Sequence, residues 1–283
     1  TFRSNPQPMS RGVPQGSVLG PIFFILLTND FPDYIQNPLT TCIMYADDTT
    51  LLLNNNMADA IYDIATTSLT MAPNYCKTND LVMNPNKTTK INFSTKHDPI
   101  PDIPNILEQT STKFLGVTLD KNLTWNEHVN NICKKMSTGV YVVRRIKWTS
   151  NLEAAKIAYY ALVDSHMRYG IEAWDGSSAG NLSRVLITQE KAIRALADLN
   201  QGERCRQAFK THGILTVTSL YILQVILHAD NRNPETNQDV HNYNTRHAAR
   251  YILPRHWTAL FEKTPSYIGR KLKNLLPNNL WKK

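Results

Sequence analysis

The adjacent pair Asp47-Asp48, set in Tyr45-Ala46-Asp47-Asp48, is where this sequence could do chemistry. Cys42, Ile43 and Met44 precede it, and Thr49, Thr50, Leu51, Leu52 and Leu53 follow. Apolar and β-branched runs around a short polar step predict two strands of a hairpin with the carboxylates at its tip. A carboxylate pair so placed suits a hard divalent cation, because Mg²⁺ takes oxygen ligands and keeps part of its water shell. Aspartate is also common in turns for local reasons, and these four residues alone read more readily as a solvated hairpin end.

The segment upstream changes that balance. Gln15-Gly16-Ser17-Val18-Leu19-Gly20-Pro21 sets two glycines before a helix-starting proline, with Phe23, Phe24, Leu26 and Leu27 expected on the helix's buried side. Gly16 allows close backbone approach, Gln15 and Ser17 offer hydrogen-bonding side chains, and a helix N-terminus favours phosphate. An ordinary loop-to-helix entry is the plain alternative. A nucleotide-approaching loop followed by a carboxylate hairpin is the rarer combination by chance.

Together, Arg11-Gly12-Val13-Pro14-Gln15-Gly16-Ser17-Val18-Leu19-Gly20-Pro21 and Tyr45-Ala46-Asp47-Asp48 closely resemble the reverse transcriptases of non-long-terminal-repeat retrotransposons. Later segments agree in order. Leu81-Val82-Met83-Asn84-Pro85-Asn86-Lys87-Thr88 resembles the family's lysine-bearing palm motif. Lys113-Phe114-Leu115-Gly116-Val117-Thr118-Leu119-Asp120, with Leu123, Trp125 and His128, resembles its primer grip and thumb entry. Tyr169-Gly170, Trp174, the stretch His241 to Arg246, and Tyr267 to Leu272 resemble the C-terminal region of arthropod jockey-like elements.

The resemblance implies an RNA-directed DNA polymerase, a nucleotidyltransferase that extends a DNA primer on an RNA template with deoxynucleoside triphosphates. It implies two Mg²⁺ ions held by Asp47 and Asp48 as catalytic metal ligands. Gln15, Gly16, Ser17 and Tyr45 would meet nucleotide and template, and Lys87 the triphosphate, unless it is a solvated turn lysine. Phe114, Leu115 and Gly116 would position the primer, unless they are plain strand core. Lys134, Lys135, Arg144 and Arg145 would follow the nucleic-acid backbone, unless they form a solvated face. The family also implies a nuclear setting.

One departure matters. The family draws a further aspartate from a strand before the Gln-Gly-Ser segment, and Thr1 to Pro14 contain no acidic residue. The two-ion site is therefore expected to be incomplete, and the fingers and first palm strand absent. The alternative function is a catalytically inactive nucleic-acid-binding remnant. Asp30 and Asp33 read as structural, and Asp120 as part of the thumb entry.

Composition bounds the rest. At 283 residues and 42% hydrophobic content, the chain is long and apolar enough for a packed core. Cys42, Cys76, Cys133 and Cys205 lack metal or disulfide spacing and read as small apolar residues in a reducing compartment. His241, His247 and His256 have no cysteine nearby and are not read as a metal site. Val217 to Leu227 is too short and too polar to span a bilayer, so no membrane role is expected and a core helix is. Residues 1–120 carry 7 Lys+Arg against 11 Asp+Glu, a net −4. Residues 121–283 carry 24 against 12, a net +12 that suits a phosphate backbone or simply a basic protein.

The periodicities predict an α+β chain: the C-terminal part of a polymerase palm over residues 1–120, a helical thumb over 121–178 and a mostly helical region over 179–283. The palm part should hold antiparallel strands with packed helices. A helix from about Met57 to Lys77 should break near Ala72, because Pro73 lies inside it. Thr89 to Thr95 and Phe114 to Leu119 read as strands. Thr124-Trp125-Asn126-Glu127 reads as a capping box for an amphipathic helix, and Ser150 with Glu153 as a second one. Asp230 to Gln238 reads as a polar loop.

Overall fold

The computed structural model describes residues 12–14, 16–93, 100–241 and 246–277, in two compact units, Thr1–Thr110 and Ser111–Lys283. Gln15, the lead-in up to Arg11, the end of the expected strand past residue 93 and most of the 241–246 motif lie outside the described residues. Small sheets and many helices make a mixed fold.

In the first unit, α1 (Gly20–Thr28) and α2 (Phe31–Tyr34) lead into a hairpin of β1 (Thr40–Tyr45) and β2 (Asp48–Leu53). Next come α3 (Ala58–Thr78), a 3₁₀ turn at Pro85–Lys87, and the two-residue strands β3 (Thr89–Lys90) and β4 (Leu107–Glu108). The β3–β4 pair is parallel, where only antiparallel strands were expected. Phe31, Ile35 and Tyr75 form a small core against which Cys42, Met44 and Leu51 pack. The Tyr75 hydroxyl bonds to the Asp30 carboxylate at 2.5 Å and lies 3.0 Å from the Leu27 carbonyl, pinning the end of α1 to α3. Asp30 is thus structural, as read.

Two expectations fail here. α3 runs unbroken through Pro73, which stands on the exposed side, where water can take the carbonyl its missing N–H leaves free. And α1 has no buried apolar side: Phe23, Leu26 and Leu27 are exposed, Phe24 half-buried, and Thr28 is the one buried residue of the helix. Nearly every position of α1 is apolar, so it has no polar face to turn to water.

The second unit opens with the hairpin β5 (Ser111–Phe114) and β6 (Val117–Asp120), then α4 (Asn126–Thr149). The expected single strand over Phe114 to Leu119 is therefore a reversal, with Leu115 and Gly116 as its two-residue turn. Both have positive φ, +44° and +83°, as a type I′ turn requires. The hairpin was expected to close the first unit at residue 120, yet it is fastened to α4. The Thr118 N–H donates to His128 Nδ1 at 3.2 Å, and Asp120 accepts from the backbone N–H of Thr124 and Trp125. That carboxylate replaces the expected capping box, and Trp125 precedes α4 in a left-handed conformation. Burial pushes the Asp120 carboxyl up, but the hydrogen bonds from Thr124, Trp125 and Asn122 outweigh it and hold the pKa below the usual range.

α5 (Leu152–Tyr159) is capped by Asn151, not by the expected Ser150, and passes through a π-helical stretch, Tyr160–Asp164, into α6 (Ser165–Arg168). Gly139 of α4 meets that stretch: a Cβ there would lie 2.5 Å from the Leu162 carbonyl oxygen. α7 (Ile171–Trp174), α8 (Ala179–Leu196), α9 (Arg206–His212) and α10 (Val217–Asn231) follow. Last come α11 (Asn237–Val240), α12 (Ala259–Glu262) and α13 (Pro265–Leu275), so the expected loop from Asp230 is partly helical.

Met136, Tyr159, Met167, Trp174, Ile193 and Leu220 lie in one core that draws on α4 through α10. The expected division after residue 178 does not interrupt it. Gln189, fully buried, donates to the Tyr159 hydroxyl and the Leu215 carbonyl and accepts from the Val217 N–H, each at 2.9 Å. A buried amide so satisfied adds order without a desolvation penalty left open. No single described helix is long and apolar enough to cross a membrane.

Candidate active site and nucleic-acid interface

The β1–β2 register pairs Tyr45 with Asp48, so Ala46 and Asp47 form the two-residue tip. Ala46 sits at φ +51°, a left-handed conformation that costs an L-residue about 1–2 kcal/mol. On a strand, adjacent side chains point to opposite faces. Asp47 escapes that alternation because it is a turn residue, which leaves both carboxylates at the tip. Both are exposed, and neither has a described protein hydrogen bond or ion pair. Cross-strand pairing puts Asp48 on one face with Tyr45, Ile43 and Leu52, all exposed, while Cys42, Met44 and Leu51 face the core.

Gly16 lies at φ +83° with open space around it, so backbone conformation alone calls for glycine. The Ser17 hydroxyl accepts the Gly20 N–H at 2.9 Å and so steadies the entry to α1. Lys87 ends the 3₁₀ turn, exposed, and no described hydrogen bond or ion pair joins it to Asp47 or Asp48. The structure therefore brings together Tyr45, Asp47 and Asp48. No hydrogen bond or ion pair among the described residues joins Gly16, Ser17 or Lys87 to them.

In the second unit, Phe114, Leu115 and Gly116 form the β5–β6 tip. The Tyr169 hydroxyl donates to the Leu115 carbonyl at 2.6 Å, and a Cβ on Gly116 would lie 3.3 Å from the Tyr169 ring. Lys134, Lys135, Arg144 and Arg145 are exposed along α4, whereas Lys147 is tied to Asp198 at 2.7 Å. Sequence reasoning missed the aromatics among these cations. Trp148 is 79% exposed and Tyr141 68%, and the Arg145 guanidinium lies 5.2 Å from the centre of the Trp148 ring. Positions 141, 145 and 148 share one helix face, so their spacing carried the signal. A cationic face with exposed aromatics can neutralise phosphates and stack bases.

Among the described residues, no group of three or more His, Cys, Asp or Glu side chains gathers as a metal site. His256 instead pairs with Glu262 at 2.8 Å.

Residues 1–119 match the family model described as reverse transcriptase (RNA-dependent DNA polymerase). The chain is 33% identical over 209 residues to the probable RNA-directed DNA polymerase from transposon BS of Drosophila melanogaster, covering 69% of this chain and 23% of that protein. It is 25% identical over 211 residues to the RNA-directed DNA polymerase from mobile element jockey of the same fly, again 69% and 23%. A Pol polyprotein from the type-1 element R1 of Bradysia coprophila is 23% identical over 201 residues, 68% of this chain and 20% of that one. The chain thus spans under a quarter of the length of these curated relatives. No solved structure matches. The likeness to retrotransposon reverse transcriptases drawn from the motifs is borne out.

Proposed function

We propose that this chain, whose residues 1–119 match the reverse transcriptase family, is the palm-and-thumb part of an RNA-directed DNA polymerase from a jockey-like retrotransposon. The carrying observation is the carboxylate pair at the tip of a two-residue hairpin inside the matched segment. Exposed carboxylates with no partner among the described residues fit a hard cation. Asp47 and Asp48 would hold Mg²⁺, which when bound lowers the charge on triphosphate oxygens and activates the primer hydroxyl. Two carboxylates are a partial ligand set; water and substrate oxygens complete such sites. Tyr45, on the face of Asp48, would stack against an incoming nucleotide. Gly16 and Ser17, with Gln15, are assigned to nucleotide and template, and Lys87 to the triphosphate.

In the second unit, Phe114, Leu115 and Gly116 would set the primer strand, held in place by Tyr169. The exposed face of α4 would carry the RNA–DNA duplex. Backbone contacts of this kind fix register without reading bases, as a polymerase that copies any template needs. A second reading, a nucleic-acid-binding protein without catalysis, draws support from the lack of a third ligating side chain beside the pair among the described residues.

Paramagnetic broadening tests the metal assignment. Mn²⁺ added to the chain should broaden the backbone amide signals of residues 45–49, and Asp47→Asn with Asp48→Asn should abolish this. Broadening that survives both substitutions, or none in the unaltered chain, would contradict the assignment.

A further inference from the structure

His128 ties the β5–β6 hairpin to α4 through a bond that only its uncharged ring can make. Its Nδ1 accepts from the Thr118 N–H at 3.2 Å, so the neutral imidazole carries its proton on Nε2. That Nε2 is buried and has no hydrogen-bond partner among the described residues. The residue is 5% exposed, and its ring makes edge contacts with the rings of Trp125 and Trp174, at 6.2 and 6.0 Å between centres. A second proton would turn Nδ1 from acceptor to donor and set it against the Thr118 N–H. Two donors cannot bond, and a buried charge left without a partner is costly.

The surroundings supply no counter-charge. His128 lines a cleft of about 390 Å³ between the hairpin and α4, together with Lys113 of β5, Lys134 and Lys135 of α4, and His166 and Tyr169 from α6 and its end. No acidic residue lines it. Asp120 of β6 is engaged by the backbone N–H of Thr124 and Trp125, and Glu127, beside His128 on α4, is exposed. On α7, Glu172 is paired with His228 at 2.6 Å. Asp175 follows that helix, and its carboxyl, raised to about 7 by burial, is protonated in acid. Burial first, and then the charge of Lys135, hold the His128 imidazole below its ordinary pKa.

We infer that His128 is an acid-released latch, whose protonation frees the middle of β6 from α4. An imidazole with a lower pKa folded than unfolded favours folding above the unfolded value of about 6.5, and loses that contribution as pH falls below it. The latch is therefore shut at neutral pH and opens in acid. Both ends of the hairpin stay tied as it opens. The Asp120 carboxyl, held below the usual range, keeps its bonds to the start of α4, and Tyr169 keeps the Leu115 carbonyl. Asn131 still reaches the Thr118 hydroxyl, at 3.4 Å. Thr118 itself lines the cleft, which gives water a path to the freed N–H. The inference goes beyond the polymerase reading and does not depend on it.

NMR on the full chain tests it. The imidazole ¹⁵N signals of His128 report its protonation, and exchange of the Thr118 amide, corrected for the intrinsic effect of pH, reports the latch. Thr118 protection should fall about tenfold, the usual worth of one such bond, as the ring gains its proton, while amides of α8 keep theirs. His128→Asn puts a carbonyl oxygen that does not titrate near the place of Nδ1, and should make Thr118 protection independent of pH. His128→Phe offers no acceptor and should leave Thr118 open at neutral pH as well. His166→Gln should leave the transition in place. Protection that stays level while the ring is protonated, or that falls alike in His128→Asn, would overturn the inference. So would a ring that stays neutral down to about pH 4.5, or protection lost from α8 at the same pH, since the event would then be unfolding of the whole unit. Should His128→Asn not fold, the coincidence of the two titrations in the unaltered chain still decides.

Discussion

The hydroxyl of Tyr169 donates a 2.6 Å hydrogen bond to the carbonyl of Leu115, across 54 positions of sequence. Leu115 sits at φ +44°, unfavourable for a branched side chain, and Gly116 beside it packs against the same ring. A turn held in that conformation needs outside support, and Tyr169 supplies it. The Leu115–Gly116 turn and the Tyr-Gly motif, which the sequence presents as separate, are one device.

Tyr169→Phe keeps the ring and removes the bond. The unit should lose about 0.5–1.5 kcal/mol, the usual net worth of one such bond, read from urea unfolding. Gly116→Ala should cost at least as much, since it adds a Cβ at positive φ against the ring. Unchanged stability in both variants would mean that the turn stands without Tyr169.

Asp175 gives the second unit a pH dependence. It is 6% exposed, both its carboxylate oxygens lack partners among the described residues, and burial pushes its pKa up to about 7. A carboxyl raised in the folded state binds its proton more tightly there than when unfolded. Its contribution is therefore full below the unfolded value near 4 and is lost as pH rises through about 7. Stability should be higher at pH 5 than at pH 8, by about 2–3 kcal/mol from this group, and Asp175→Asn should remove that difference. An equal pH dependence in the variant would place its cause elsewhere.

α1 should drive self-association. Leu26 is 67% and Ile25 59% exposed, beside Phe23 and Leu27. Contiguous apolar surface of this kind associates in water. Light scattering should show concentration-dependent association that Leu26→Lys with Ile25→Lys reduces. A monodisperse monomer at all concentrations would contradict this.

The chain by itself should extend no primer on poly(rA) with Mg²⁺ or Mn²⁺, since among the described residues only two carboxylates gather at the tip. A missing metal ligand typically costs several kcal/mol of transition-state stabilisation. Extension that disappears in Asp47→Ala would reveal a substitute ligand.

Much of this was legible in the residues, for physical reasons. The hairpin and its carboxylate tip followed from alternation around a short polar step, and α4 from its apolar stripe. Other features depended on tertiary partners. Asp120 caps α4 because the preceding turn brings it back to the helix start, which no local pattern records. The Leu115–Gly116 reversal was hidden because leucine rarely takes positive φ, and only Tyr169 makes it tolerable. The bare face of α1 read as buried because composition reports apolarity, not what covers it. The cleft between the β5–β6 hairpin and α4 joins residues from positions 113 to 169, too scattered for any motif.

Gripping a duplex through the exposed face of α4 is the claim on which the polymerase reading of the second unit turns. Fluorescence anisotropy of the full chain with an RNA–DNA hybrid, at several salt concentrations, measures it. About four phosphate contacts predict a log–log salt slope near −3.6. Alanine at Lys134, Lys135, Arg144 and Arg145 should flatten that slope by about 3 and leave folding intact, because exposed substitutions cost little stability. A quadruple variant with the slope of the unaltered chain would show that α4 presents only a solvated face.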